Sequence, residues 1–254
     1  MCYDDNARPP YPPIGGAAMS AGGADLVLTS ADGNRFNAYL AQPHDPARAL
    51  MLIYPDVRGL HQFYKDLALR FAELGIASLA MDYFGRSAGL TSRTDGFEYM
   101  PHVQQMTLPN LLADARAALD HLRAAAGKDK PSFLVGFCMG GGLVVQTATE
   151  GLGLTGGFPF YAGMGRALPG SKGTPLEVAS TVKVPLLGFF GGADQSIPEE
   201  QVHAFDAALD KSGVEHEVII YPGAPHSFFD RRATDYADAS ADAWTRMLAF
   251  IAAH

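Results

Sequence analysis

Three short stretches of this chain hold residues whose types could act together on a carbonyl group. The first is GFCMGGG at 136–142, a G-x-C-x-G pattern with Cys138 where serine is the commoner centre. The second is GGADQSIP at 191–198, carrying Asp194, and the third is PGAPHSF at 222–228, carrying His226. A thiol, a carboxylate and an imidazole suit nucleophilic acyl transfer: the imidazole takes the thiol proton and the carboxylate orients and stabilises the ring. Each residue also has a plain reading. Cys138 fits a small core residue between glycines that allow close helix–strand packing, Asp194 fits a turn or helix cap, and His226 fits a surface loop. The joint reading gains from order, because nucleophile, acid and histidine follow one another in the chain, each just past a predicted strand.

The elements around Cys138 give the motif its meaning. SFLVGF at 132–137 reads as a strand and MGGGLVVQTATE at 139–150 as a helix. A sharp strand-to-helix turn strains the backbone of the central residue, and Gly136 and Gly140 remove side chains that would clash there. The thiol then projects above the sheet at the positive end of a helix, a place that favours a thiolate. Attack on an ester gives a tetrahedral oxyanion and then a thioester, and the oxyanion needs two N–H donors. Met139, directly after the nucleophile, supplies one; Val57, in YPDVRG at 54–59 after the first parallel strand, is the candidate for the other.

Leu26 and Leu28, then Phe36, Ala38 and Leu40, alternate around an Asp-Gly turn, which predicts an antiparallel hairpin. Apolar strands then alternate with amphipathic helices. Strands are expected at 50–54, 77–81, 133–137, 184–190 and 217–221, and helices carry Phe63 to Leu74, Leu112 to Leu122, residues 198–211 and Trp244 to Ile251. The fold class is therefore α/β, with a mostly parallel central sheet, an N-terminal antiparallel hairpin and helices on both faces. Residues 1–23, rich in Pro and Gly, read as an arm that is partly disordered or draped over the surface; residues 24–254 form one domain. Two connections, 83–108 and 162–181, are too long for plain α/β loops and leave the carboxyl ends of strands, where such folds bind ligands.

The 254 residues carry a formal net charge of −8 with no Lys/Arg cluster, which argues against nucleic acid or an anionic membrane as partner. With only two cysteines, Cys2 and Cys138, no disulfide framework or cysteine zinc site can be built, and a reducing cytoplasm fits best. No apolar run is long enough to span a membrane, and the N-terminus lacks the pattern of a signal peptide. The histidines show no metal-ligand spacing, so no metal or organic cofactor is expected. GLGLTG at 151–156 matches G-x-G-x-x-G in the wrong context, after a helix and before a strand, and STVK at 180–183 matches S-x-x-K off a helix. Neither carries function. The partner is a small ester or lactone, handled by a monomer or small homo-oligomer.

Taken together, YPDVRGL, DYFGR at 82–86, GFCMGG, GGADQSIP and PGAPHSFF resemble the dienelactone hydrolase family of α/β-hydrolases over about residues 50–230. The resemblance implies hydrolysis of a lactone or ester through a cysteine acyl-enzyme without a cofactor. It implies that Asp56 stands where the family's best-known members carry a glutamate that contacts the resting thiol. Arg86 matches a position that holds the substrate carboxylate in those members. At the second such position this chain has Asp230, with Arg231 beside it, a departure that disfavours an anionic substrate. Tyr83 and Tyr161 are further pocket candidates that also read as structural. The alternatives are a general carboxylesterase or thioesterase acting on neutral substrates, or a non-hydrolytic thiol sensor on a hydrolase scaffold.

Overall fold

The computed structural model describes residues 6–13, 20–94 and 96–254. The chain opens with β1 (Ala21–Thr29) and β2 (Arg35–Pro43), the expected hairpin around Asp32 and Gly33. There follow β3 (Ala49–Tyr54), α1 (Gln62–Ala72), β4 (Ile76–Met81), the short α2 (Gly85–Ala88) and α3 (Met100–Val103), α4 (Leu108–Ala126), β5 (Ser132–Phe137) and α5 (Met139–Ala148). The last third holds β6 (Gly156–Phe160), the short α6 (Pro175–Val178), β7 (Leu186–Gly191), α7 (Glu199–Asp210), β8 (His216–Tyr221) and α8 (Ala237–Ala253). The eight strands form one sheet in the order β1-β2-β4-β3-β5-β6-β7-β8. β1 with β2 and β2 with β4 are antiparallel, and every later pair is parallel.

Every residue of β3, β4, β5, β6 and β7 is buried, as continuous apolar strands covered on both faces must be. Alternation along β5 assigns the faces. Phe133 packs on Phe250 of α8 and Phe137 on Phe63 of α1, while Gly136 faces Gly140 of α5. Thus α1 and α8 cover one side, joined through Phe71 and Trp244 at 4.9 Å, and α5 lies on the other.

Several boundaries differ from the sequence reading. β1 begins at Ala21, where Ala21 to Gly23 pair with Pro43 to Ala41, so an arm ending at residue 23 overlaps the sheet. β7 begins at Leu186 because Pro185 has no N–H to give to a ladder. In the described part of the arm, the Pro10 carbonyl accepts from Trp244 Nε1 at 3.0 Å and Tyr11 lies under the Arg70 guanidinium. That segment therefore rests on α8 and α1; the rest of the arm lies outside the described residues. The two long connections are not plain loops: one contains α2 and α3, the other α6.

Candidate active site

Cys138 is the N-cap of α5 with φ 55° and ψ −113°, a left-handed value that a non-glycine residue adopts at a cost on the order of 1–3 kcal/mol. What holds it there is the packing on either side. A Cβ on Gly136 would overlap the Gly140 carbonyl, and one on Gly140 would overlap the carbonyls of Tyr54 and Pro55. The two glycines thus let α5 start directly against the ends of β3 and β5. The Cys138 N–H donates to the Phe160 carbonyl at 3.1 Å, and its own carbonyl accepts from Gly163 at 3.0 Å, tying the turn to the end of β6.

The loops after β7 and β8 bring the other two residues together. Asp194 is buried, and one oxygen, Oδ1, accepts from the N–H groups of Ser196 and Ile197 at 2.8 and 3.2 Å. That is the turn aspartate of the plain reading. The other oxygen, Oδ2, accepts from His226 Nδ1 at 2.6 Å. With Nδ1 as the donor, Nε2 is left as the basic nitrogen. The imidazole is also packed by Tyr161, ring centroids 4.9 Å apart, and Tyr161 directly follows the Phe160 that holds the Cys138 turn. Cys138 and His226 are therefore anchored to neighbouring residues at one strand end.

Cys138 borders a cavity of about 400 Å³ that Val57 and Met139 also line. No described residue accepts from the Val57 or Met139 N–H, and both residues line the cavity with the thiol. The loop bearing Val57 is fixed from three sides. The Tyr83 hydroxyl donates to the Pro55 carbonyl at 2.8 Å, the Asp56 N–H donates to the Tyr64 hydroxyl at 3.0 Å, and Gly140 lies against Pro55. Met100, Val103, Leu143, Leu168 and Pro175 make the remaining wall largely apolar. Among the described residues no group of three or more metal-ligating side chains gathers anywhere.

A model of the dienelactone hydrolase family matches residues 36–254. The chain belongs to the dienelactone hydrolase family. A curated relative in Saccharolobus solfataricus bearing the name "Putative carboxymethylenebutenolidase" is 29% identical over 261 residues, covering 89% of this chain and 96% of that one. One of the same name in Synechocystis is 30% identical over 223 residues, covering 82% and 88%. A crystal structure of a "Putative Dienelactone Hydrolase" from Klebsiella pneumoniae superposes with a TM-score of 0.78 at 25% identity, over 92% of this chain and all of that one. This dienelactone hydrolase-family chain thus has the α/β-hydrolase fold, and is a hydrolase of the lactone and ester class.

Of the positions that the family resemblance suggested, Asp56 lies fully buried beside the nucleophile's helix. Its Oδ1 accepts from the Arg58 N–H at 2.9 Å, and its Oδ2 has no hydrogen-bond partner among the described residues. Burial raises its pKa to about 7, against the opposing pull of Arg58 and His226. Asp230, 2% exposed, is raised to about 8 by burial and by the Asp56 charge, opposed by the Arg231 N–H, the Tyr161 hydroxyl and His226. Two carboxyl groups that resist ionisation therefore lie near the imidazole.

The expected carboxylate-binding arginines are placed elsewhere. Arg86 pairs with Asp32 at 2.6 Å and Asp114 at 2.7 Å, fastening the β1–β2 turn to α4, and it lines a separate cavity. Two aspartates at hydrogen-bond distance occupy the guanidinium, so the substrate-binding expectation is corrected. Arg231 is exposed and lies off the Cys138 cavity; only its backbone N–H reaches inward, to Asp230. Tyr83 and Tyr161 do not line that cavity either. Tyr83 props the Val57 loop, and the Tyr161 hydroxyl donates to Asp230 at 2.9 Å. Sequence reasoning missed Gln146 and Arg166, the two polar side chains that do share the cavity with Cys138. Gln146 had a signal, standing two helical turns beyond Cys138 on α5; Arg166, in a long connection without periodicity, had none.

Proposed function

We propose that this protein hydrolyses a lactone or small carboxylic ester through the Cys138 thiol, with His226 as base and Asp194 orienting it. His226 Nε2 takes the Cys138 proton as sulfur bonds to the carbonyl carbon and the carbonyl π pair moves onto oxygen. The N–H groups of Met139 and Val57 hold that oxyanion. When the pair returns, the carbon–oxygen bond to the alcohol portion breaks, and the leaving oxygen takes the proton from His226. The product is a thioester on Cys138. His226 then draws a proton from water, which attacks the thioester and releases the acid and the thiol.

The observation that carries this reading is the 2.6 Å Asp194–His226 hydrogen bond, with the His226 ring packed on Tyr161 next to the Phe160 carbonyl that accepts from the Cys138 N–H. Turnover of p-nitrophenyl acetate and small lactones by wild type, Cys138→Ala and His226→Ala tests it. Both variants should lose at least 10³-fold in kcat, and wild-type turnover in both sinks the assignment. A second feature favours neutral substrates, as in a general carboxylesterase or thioesterase. Arg86, the arginine that the family resemblance offered for a carboxylate, is engaged by two aspartates, and Asp230 lies near His226, which disfavours a carboxylate there. Arg166, which lines the cavity, donates to the Val103 carbonyl at 2.7 Å. Comparing an anionic lactone with its neutral analogue checks this, and a preference for the anion contradicts it.

A further inference from the structure

The cavity beside Cys138 follows one side of α5. Cys138, Gly142, Leu143 and Gln146 line it in turn, at offsets of four, five and eight residues. At ~1.5 Å of rise per residue, Gln146 lies about 12 Å along the helix from the nucleophile. The wall opposite is apolar at Val103, Leu168 and Pro175 and also carries Arg166, whose guanidinium donates to the Val103 carbonyl at 2.7 Å. Met100, 48% exposed, marks the mouth, whereas Gln146 is 2% exposed and closes the buried end.

Gln146 is an odd residue for that place. Its Nε2 donates to the Gly173 carbonyl at 2.8 Å, which identifies the nitrogen end of the amide. No other described residue bonds the side chain, so Oε1 and the second N–H are left without a protein partner in an apolar wall. A leucine would close the same end with apolar surface, whereas the amide gives the slot a group that can both donate and accept. The group that completes the amide therefore belongs to what the slot holds. A hydroxyl matches it, accepting from the N–H and donating to Oε1. A carboxylate lacks the proton to donate and would face the Oε1 lone pairs.

Length follows from the same geometry. Helical side chains lean toward the N-terminus, which leaves roughly 8–10 Å between the Gln146 amide and an acyl carbon on sulfur. The terminal hydrogen bond takes about 3 Å of this and an extended chain advances about 1.2 Å per bond, so about four to six bonds fill the gap.

We propose that Gln146 is a specificity-determining residue, and that the slot along α5 takes an acyl chain of about four to six carbons ending in a hydroxyl. The proposal rests on Cys138 being the nucleophile. Opening a lactone of that size generates such a chain. The ring carbon–oxygen bond breaks, the oxygen takes the proton from His226, and it stays on the acyl group as a hydroxyl.

The test compares kcat/KM for p-nitrophenyl hexanoate and p-nitrophenyl 6-hydroxyhexanoate in wild type and Gln146→Leu. Wild type should favour the hydroxylated ester about tenfold, and Gln146→Leu should favour the plain one. Equal values in wild type overturn the proposal, as does a hydroxyl preference that survives in Gln146→Leu. If that variant fails to fold, the wild-type pair alone decides. Loss of p-nitrophenyl acetate turnover in Cys138→Ala, with no discrimination between the hexanoates, would sink the slot reading and leave the thiol reading standing.

Discussion

Asp194 holds His226 with one carboxylate oxygen, at 2.6 Å, and its own loop with the other. The two jobs depend on each other: the bonds from Ser196 and Ile197 fix the carboxylate, and the fixed carboxylate fixes the ring. Asp194→Asn keeps the size but can present an N–H to His226, favouring the wrong tautomer. The expected result is a fall in kcat of about 10³–10⁴-fold on a p-nitrophenyl ester, with little change in KM. A kcat within tenfold of wild type would contradict the role given to Asp194.

The Tyr161 hydroxyl and the Arg231 N–H donate to the buried Asp230, and the Tyr161 ring supports His226. Tyr161→Phe keeps the ring and removes the donor. Unfolding in urea should show a loss of about 1–3 kcal/mol, since a buried carboxyl is left short of a partner. Activity should fall far less than in Asp194→Asn. A neutral effect on stability would mean that Asp230 draws nothing from this bond.

Asp56 and Asp230 bind protons more tightly in the fold than in the unfolded chain, with pKa raised to about 7 and about 8. Their sign is opposite to that of an ion-paired carboxylate. Between about pH 4 and pH 8 the folded state holds more protons at these sites, so their contribution to stability is full at low pH and falls as pH rises. Asp230→Asn removes one such site. The drop in Tm between pH 5 and pH 8.5 should be smaller in Asp230→Asn than in wild type, and an equal or larger drop would refute the assignment.

Arg86 fastens Asp32 and Asp114, and Asp114 is buried. Arg86→Ala takes the cation from Asp114, which keeps hydrogen bonds from Ser30 and Asn34, and should cost about 1–3 kcal/mol in urea unfolding. The ratio of kcat/KM for an anionic and a neutral ester should not move. A selective loss on the anion would return Arg86 to the substrate site.

The α/β architecture was legible because β3, β4, β5 and β7 are buried on both faces, leaving continuous apolar runs that no other element imitates. Cys138 and Asp194 stand out in the sequence because each follows such a strand, and His226 because it follows the half-exposed but still β-branched run of β8. The Arg86 expectation failed for a reason the chain order hides. Asp32 and Asp114 lie far from Arg86 in sequence, and only the packing of the β1–β2 turn against α4 brings them to it. The wall of the cavity was hidden in the same way, since Met100, Val103 and Leu168 belong to irregular connections whose placement follows tertiary contact rather than periodicity.

The central claim is that Cys138 carries the acyl group. Wild-type protein mixed with a p-nitrophenyl ester and quenched in acid within milliseconds can be digested and its peptides weighed. The account predicts a mass increase equal to the acyl group on the peptide containing Cys138, decaying as free acid appears, and no adduct or turnover in Cys138→Ala. Steady turnover with Cys138 unmodified, or an adduct confined to another residue, would contradict it.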